Sequence, residues 1–151
     1  MPTITPPTTA GEGTVLKVES DTTPGTFSTI AQVTEIDGPE VLVEAIDNTA
    51  MESGLITTRP SYFPEPDKLS LKVWFDPNDT DTHKNFVTDY TQPRTVRNYQ
   101  LEFNDDNTTH AHATFHAYQT SFKLTGMKVK SNLEADVELK LTDLPVFTPG
   151  T

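Results

Sequence analysis

No cysteine occurs anywhere in the chain, which removes disulfides, thiol nucleophiles and thiolate metal sites together. Stability must therefore come from packing or from partners. Long apolar runs are also missing, and none approaches the roughly 20 residues a membrane span requires. Positive charge is scarce: 11 Lys plus Arg stand against 22 Asp plus Glu, a net charge of −11. Such a surface repels nucleic-acid phosphates, so ordinary DNA binding is not expected. Nucleophile elbows of the G-x-S-x-G type, phosphate loops and dinucleotide fingerprints are all absent, and no catalytic role is expected without them. Residues 1–13 lack the basic patch and apolar stretch of a secretory signal, from which synthesis and residence in a cytoplasm are expected.

What is present fits one domain. The 151 residues suffice for a single core, and the mean hydropathy of −0.48 together with 12 prolines points to polar, loop-rich stretches. Residues 1–13 hold three prolines and few apolar groups, so they read as a flexible arm. The last residues, 146–151, read as a similar tail. Between them, over 14–145, apolar residues recur with a period near two. They are mostly Val, Ile, Thr, Phe and Tyr, so the class is mainly β, a β-sandwich.

The clearest strand is Leu69 to Asp76, with Leu69, Leu71, Val73 and Phe75 on one face. Ser28–Asp37 and Pro39–Asp47 read as two strands joined at the Gly38-Pro39 turn. Thr95–Phe103, His110–Leu124, Met127–Ser131 and Leu133–Leu141 follow. One segment departs from the period: His83, Phe86, Val87 and Tyr90 are spaced as one apolar stripe of a short flanking helix. Thr80 or Thr82 can cap it, with Asp79 and Asp81 suited to its N-terminus. Residues 48–67 contain Gly54, Pro60, Pro64 and Pro66 and read as a long assembly loop.

Candidate chemistry is thin. His110, His112 and His116 share one strand face, yet a zinc site needs a further ligand with recognisable spacing, and solvated or interface histidines are the simpler reading. Asp76–Asp81 resembles a calcium loop only superficially, because Asp81 and Val87 stand where glycine and glutamate are required. Glu134, Asp136 and Glu138 alternate along one strand, as a solvated face does. Asn78-Asp79-Thr80 and Asn107-Thr108-Thr109 match the glycosylation pattern, most simply by chance in a Thr-rich chain. Neither a cofactor nor a metal is expected.

Several strings, in order, resemble the tail tube (major tail) proteins of long-tailed, non-contractile bacteriophages. Gly25–Ala45 (GTFSTIAQVTEIDGPEVLVEA) is similar to their early hairpin, followed here by Glu44, Ile46, Asp47 and Thr49. Asn48–Lys68 is similar to their long loop, and Lys68–Pro77 (KLSLKVWFDP) to a strand ending in aromatic-Asp-Pro. His83–Tyr90 resembles their short helix, and Tyr99–Asp106 (YQLEFNDD) a strand before a turn, with Asp106-Asn107 where glycine is common. Ala113–Gly126 and Glu134–Leu141 resemble the last strands. The resemblance implies a structural virion protein, made in the bacterial cytoplasm, whose subunits form six-membered rings closed as a β-barrel and stacked into a tube. It implies a tape measure protein in the lumen, tail tip and tail terminator proteins at the ends, and DNA passing through without specific binding. Glu134, Asp136 and Glu138 then become candidate lumen-facing groups. Met51, Leu55, Ile56, Arg59, Tyr62 and Phe63 become candidates for contacts between rings or subunits. Two other readings are a contractile-system inner tube and a virion decoration or receptor-binding β domain. The latter could bind carbohydrate by stacking Trp74, Tyr62 and Phe63 on sugars.

Overall fold

The computed structural model describes residues 10–49, 54–61, 63–92, 95–105 and 107–151, with side chains from Gly13 onward. In chain order the elements are β1 (Ala10–Glu19), β2 (Phe27–Thr29), β3 (Val33–Asp37), β4 (Val41–Leu42), β5 (Ala45–Asp47), β6 (Thr58–Pro60), β7 (Glu65–Pro66), β8 (Lys68–Trp74), α1 (His83–Thr91), β9 (Val96–Asn104), β10 (His112–Thr125), β11 (Glu134–Leu141) and β12 (Val146–Thr148). The described residues are mainly β with one short helix, as the apolar pattern predicts.

Eight strands form one antiparallel sheet in the order β2-β1-β9-β10-β11-β8-β3, with β12 added to β10. The 14-residue β10 serves both halves. Its first part pairs with β9 from His112 to Tyr118, and its second pairs with β11 as far as Thr125. One face of the sheet carries the core: Leu16 and Val18, Leu69, Leu71 and Val73, Tyr99 and Leu101, Ala113, Phe115 and Ala117, and Ala135, Val137, Leu139 and Leu141. Strict alternation puts these residues on a common side, and a one-residue slip would turn each row to water. α1 packs against β10 on that side, where Phe86 and Phe122 stack with centroids 6.2 Å apart.

The sheet's two end strands are neighbours in sequence. Ser28–Asp37, which reads as one strand, is two: β2 pairs with β1 and β3 pairs with β8. Gln32, at φ 58, turns the chain between them. A buried histidine holds this seam. His83 is 1% exposed; its Nδ1 accepts the Asp76 N–H at 3.0 Å, which leaves the Nε2–H to donate to the Ala31 carbonyl at 2.6 Å. The Ala31 N–H in turn donates to the Thr82 hydroxyl oxygen. One ring therefore satisfies two partly buried backbone groups.

Other expectations are corrected in the same way. The helix buries His83, Phe86 and Asp89, whereas Val87 and Tyr90 are 49% and 67% exposed. The stripe is rotated because Asp89 turns inward to meet Arg97, which is also buried. Arg97 Nε and Nη2 donate to the two Asp89 oxygens, each at 2.9 Å, and Nη1 donates to Asp21 at 2.8 Å. Hydrogen bonding to Asp89 above all, with Asp21 adding to it, holds the guanidinium even more firmly protonated than usual. Thr82 makes no side-chain cap. Asp79 instead accepts the N–H groups of Asp81 and Thr82 at 2.8 and 3.1 Å. Burial opposes the Asp79 charge, but these donors outweigh it and keep the carboxyl below its ordinary range.

Both ends of the described chain are paired. β1 begins at Ala10, inside the arm read over residues 1–13, and a bulge near Gly13 (φ 85) accommodates Asn104 opposite. Residues 146–151 do not hang free: β12 pairs with β10, and Thr151 exchanges backbone hydrogen bonds with Thr109. A Cβ on Gly150 would lie 2.6 Å from the Asn107 side chain, so only glycine fits that approach. Met127–Ser131 alternates like a strand but forms an exposed turn with Lys130 at φ 66.

Candidate assembly surfaces

The Gly38-Pro39 turn does not fold Pro39–Asp47 back onto β3. Gly38, at φ 115, lies so close to the Lys68 carbonyl that a Cβ would be 2.9 Å from it. The Glu40 N–H donates to that carbonyl and the Asp67 N–H to Glu40. From there the chain leaves the sheet as a two-stranded arm. β4 pairs with β7, β5 pairs with β6, and the Asn48 N–H reaches the Thr57 carbonyl. These four strands pair with one another and not with the large sheet. Fully extended, Glu40 to Asn48 would reach roughly 27 Å at about 3.4 Å per residue. Every described residue of 40–60 is exposed except Ile46, which is half-buried.

The arm is where most of the loop candidates lie. Leu55, Ile56 and Phe63 are 72%, 86% and 80% exposed, and Arg59 sits on β6 opposite Ile46. Met51 and Tyr62 lie outside the described residues. A lone two-stranded ribbon is marginal in water, and each large apolar side chain buried from solvent contributes about 1.5–3 kcal/mol. An arm that exposes such groups has the composition of a contact surface.

The acidic row occupies the sheet face opposite the core. Glu134, Asp136 and Glu138 stand across from Trp74, Lys72 and Ser70 of β8, and from Thr125, Lys123 and Ser121 of β10. Lys68 Nζ lies 3.7 Å from Glu138, and Lys72 Nζ lies 3.9 Å from Glu35. A shallow depression of about 280 Å³ runs across this face between Glu35, Asp37, Lys72, Lys123 and Glu138. The three carboxylates are therefore interleaved with lysines, a signal already present in the alternation of Lys68-Leu-Ser-Leu-Lys72.

The three histidines do not converge. His110 lies before β10 and pairs through Nδ1 with Asp105 at 2.7 Å. His112 contacts the His110 carbonyl, and His116 Nδ1 pairs with Asp143 at 2.8 Å. Asp105 is held down to about 2, first by the Ala111 N–H and then by His110; His110 is raised, chiefly by its hydrogen bond to Asp105. Among the described residues no group of three His, Asp or Glu side chains is placed to hold a metal ion.

No family model matches the chain, and no curated protein sequence matches it. Its three-dimensional form does have counterparts. A protein in the tail of an empty gene transfer agent particle, refined helically with C6 symmetry, matches with a TM-score of 0.72 at 18% identity, over 92% of this chain and 98% of the other. The SPP1 tail tube matches with a TM-score of 0.67 at 11% identity, over 94% of this chain and 79% of the other. The chain has the tail tube fold. The tail tube fold seen here is also similar to a chain in the sheath-tube complex of an extracellular contractile injection system, with a TM-score of 0.64 at 13% identity, over 90% and 88% of the two chains.

Proposed function

We propose that this chain is a structural, non-enzymatic subunit that polymerises with its own copies into a phage tail tube, as stacked six-membered rings each closed as a β-barrel. The observation that carries the reading is the arm formed by β4 to β7, whose Val43, Leu55, Ile56 and Phe63 are exposed to solvent on a domain of the tail tube fold. The C6 symmetry of the gene transfer agent tail supports the ring number. A head-to-tail contact along an axis does not close, so rings propagate as a filament. The tube sits in the virion tail and conducts DNA during ejection, with a tape measure protein inside and tip and terminator proteins at its ends.

In this reading Glu134, Asp136 and Glu138 face the lumen. Carboxylates alternating with Lys68, Lys72 and Lys123 offer DNA no continuous basic strip, and opposite charges this close cancel within about one Debye length, ~8 Å at physiological salt. Phosphates then slide past without being held. Negative-stain electron microscopy of the purified protein, at low and at moderate salt, tests the proposal. Hollow filaments or stacked rings are expected from the full chain. A variant with residues 43–63 replaced by a short Gly-Ser turn should keep its β circular dichroism and form none. Full-length protein that stays monomeric at high concentration in both salts overturns it.

A further inference from the structure

The arm needs a receiving surface, and its chemistry identifies one. Besides its apolar groups the arm exposes Glu40, Glu44, Asp47 and Glu65, so its partner should be apolar and locally basic. In a chain of net charge −11 such a place is uncommon. It occurs at the β10–β11 turn, where Met127 and Val129 are 73% and 93% exposed and alternate with exposed Lys128 and Lys130. Immediately beside this turn, Val87, Tyr90, Phe122 and Leu124 line an apolar groove of about 400 Å³ between α1 and β10. Lys84, one helical turn before Val87, is exposed as well.

We propose that the β10–β11 turn and the α1–β10 groove of one copy receive the acidic, apolar arm of another copy. Leu55, Ile56 and Phe63 supply the groups that enter the groove. Lys128 and Lys130 meet the arm's carboxylates, which fixes direction more than it adds affinity. The two surfaces lie on different elements of one chain, so each copy carries both an arm and a receiving site and the contact can repeat head to tail from copy to copy. This inference rests on the tube reading and adds to it the site that each arm occupies.

The test uses the full chain with p-benzoylphenylalanine in place of Val129, irradiated under conditions where the wild-type protein forms tubes. Mixing isotope-labelled with unlabelled copies identifies crosslinks between chains. Crosslinks from position 129 to residues 40–67 of a second copy are the expected result. Tubes with crosslinks only to other segments overturn this proposal and leave the tube reading standing. Wild-type protein that forms no tube in either salt removes the tube reading and this inference together. A charge exchange covers a probe that itself blocks assembly. Lys128→Glu with Lys130→Glu should raise the concentration needed for assembly about tenfold, and adding Glu44→Lys and Asp47→Lys should reverse most of the loss. No reversal, or no initial loss, counts against the pairing.

Discussion

Arg97 carries two carboxylates that differ sharply in burial, and this difference sets a quantitative expectation. Asp89 is 2% exposed and Asp21 is 68% exposed, against 7% for Arg97 itself. Removing the buried partner of such a pair costs about 3–5 kcal/mol, here with the exposed Asp21 left to face the guanidinium, whereas an exposed partner contributes about 0–1 kcal/mol. Asp89→Ala should therefore destabilise the domain by about 3–5 kcal/mol, and Asp21→Ala by less than about 1 kcal/mol. For a domain of this size the first corresponds to a fall in Tm of about 6–20 °C, at about 2–4 °C per kcal/mol. Urea unfolding monitored through Trp74 reads both values, provided the slope with denaturant is unchanged. The double variant Asp89→Leu with Arg97→Met should recover at least half of the loss, because it buries no lone charge. Equal losses for the two aspartates, or no recovery in the double variant, would refute the view that the pair's cost lies in desolvation.

His83→Phe keeps a ring beside Phe75 and Phe86 but leaves the Asp76 N–H and Ala31 carbonyl unpaired. At about 1–3 kcal/mol for each of the two orphaned groups, a loss of about 2–6 kcal/mol in the same assay is expected; a loss below about 1 kcal/mol would show that packing alone holds the seam. The Asp105–His110 pair predicts a pH window for the β9–β10 turn. His110 is raised in the fold, so its contribution is full below its ordinary value of about 6.5 and fades as pH rises through the higher folded value. Asp105, depressed to about 2 from 3.8, contributes above its ordinary range and loses that contribution as pH falls through about 2. The pair is strongest from roughly pH 4 to 6.5. NMR titration should find His110 above its ordinary pKa and returning towards it in Asp105→Asn; no difference between the two proteins would place the cause elsewhere.

Where a face is buried, the sequence shows it plainly. β8 and β11 alternate without interruption because every second side chain reaches the core, and hydropathy records that directly. The seam at 30–32 is hidden for a different reason: strand-favouring residues, Phe27, Thr29, Ile30, Val33, Thr34 and Ile36, run straight through the kink, so β2 and β3 read as one strand. α1 is legible as a helix, and its inward face in part: His83 and Phe86 are buried as their spacing implies, whereas Asp89 takes the place of Val87 and Tyr90. A hydropathy pattern assigns Asp89 to solvent, and only the guanidinium of Arg97, eight residues on, makes its burial affordable. Met127–Ser131 shows the reverse failure, alternation with no core behind it. The arm is half legible. Pro39–Asp47 has the residues of a strand, but its partner lies within the stretch that reads as loop, and two-residue pairings such as β4 with β7 leave almost no periodic trace. Of the candidate site residues, the carboxylates of β11 were placed on the face their alternation implied. The lysines between them become neighbours only through cross-strand register.

The crossover at Ile30–Gln32 has a geometric consequence for any larger structure. The outer edges of the large sheet belong to β2 and β3, and only three residues separate these strands. Within one chain the two edges are therefore tied together twice, through the paired strands between them and through a short segment clamped by His83 and Thr82. An assembly that uses both edges would join its neighbours on either side through that link as well as through the sheet.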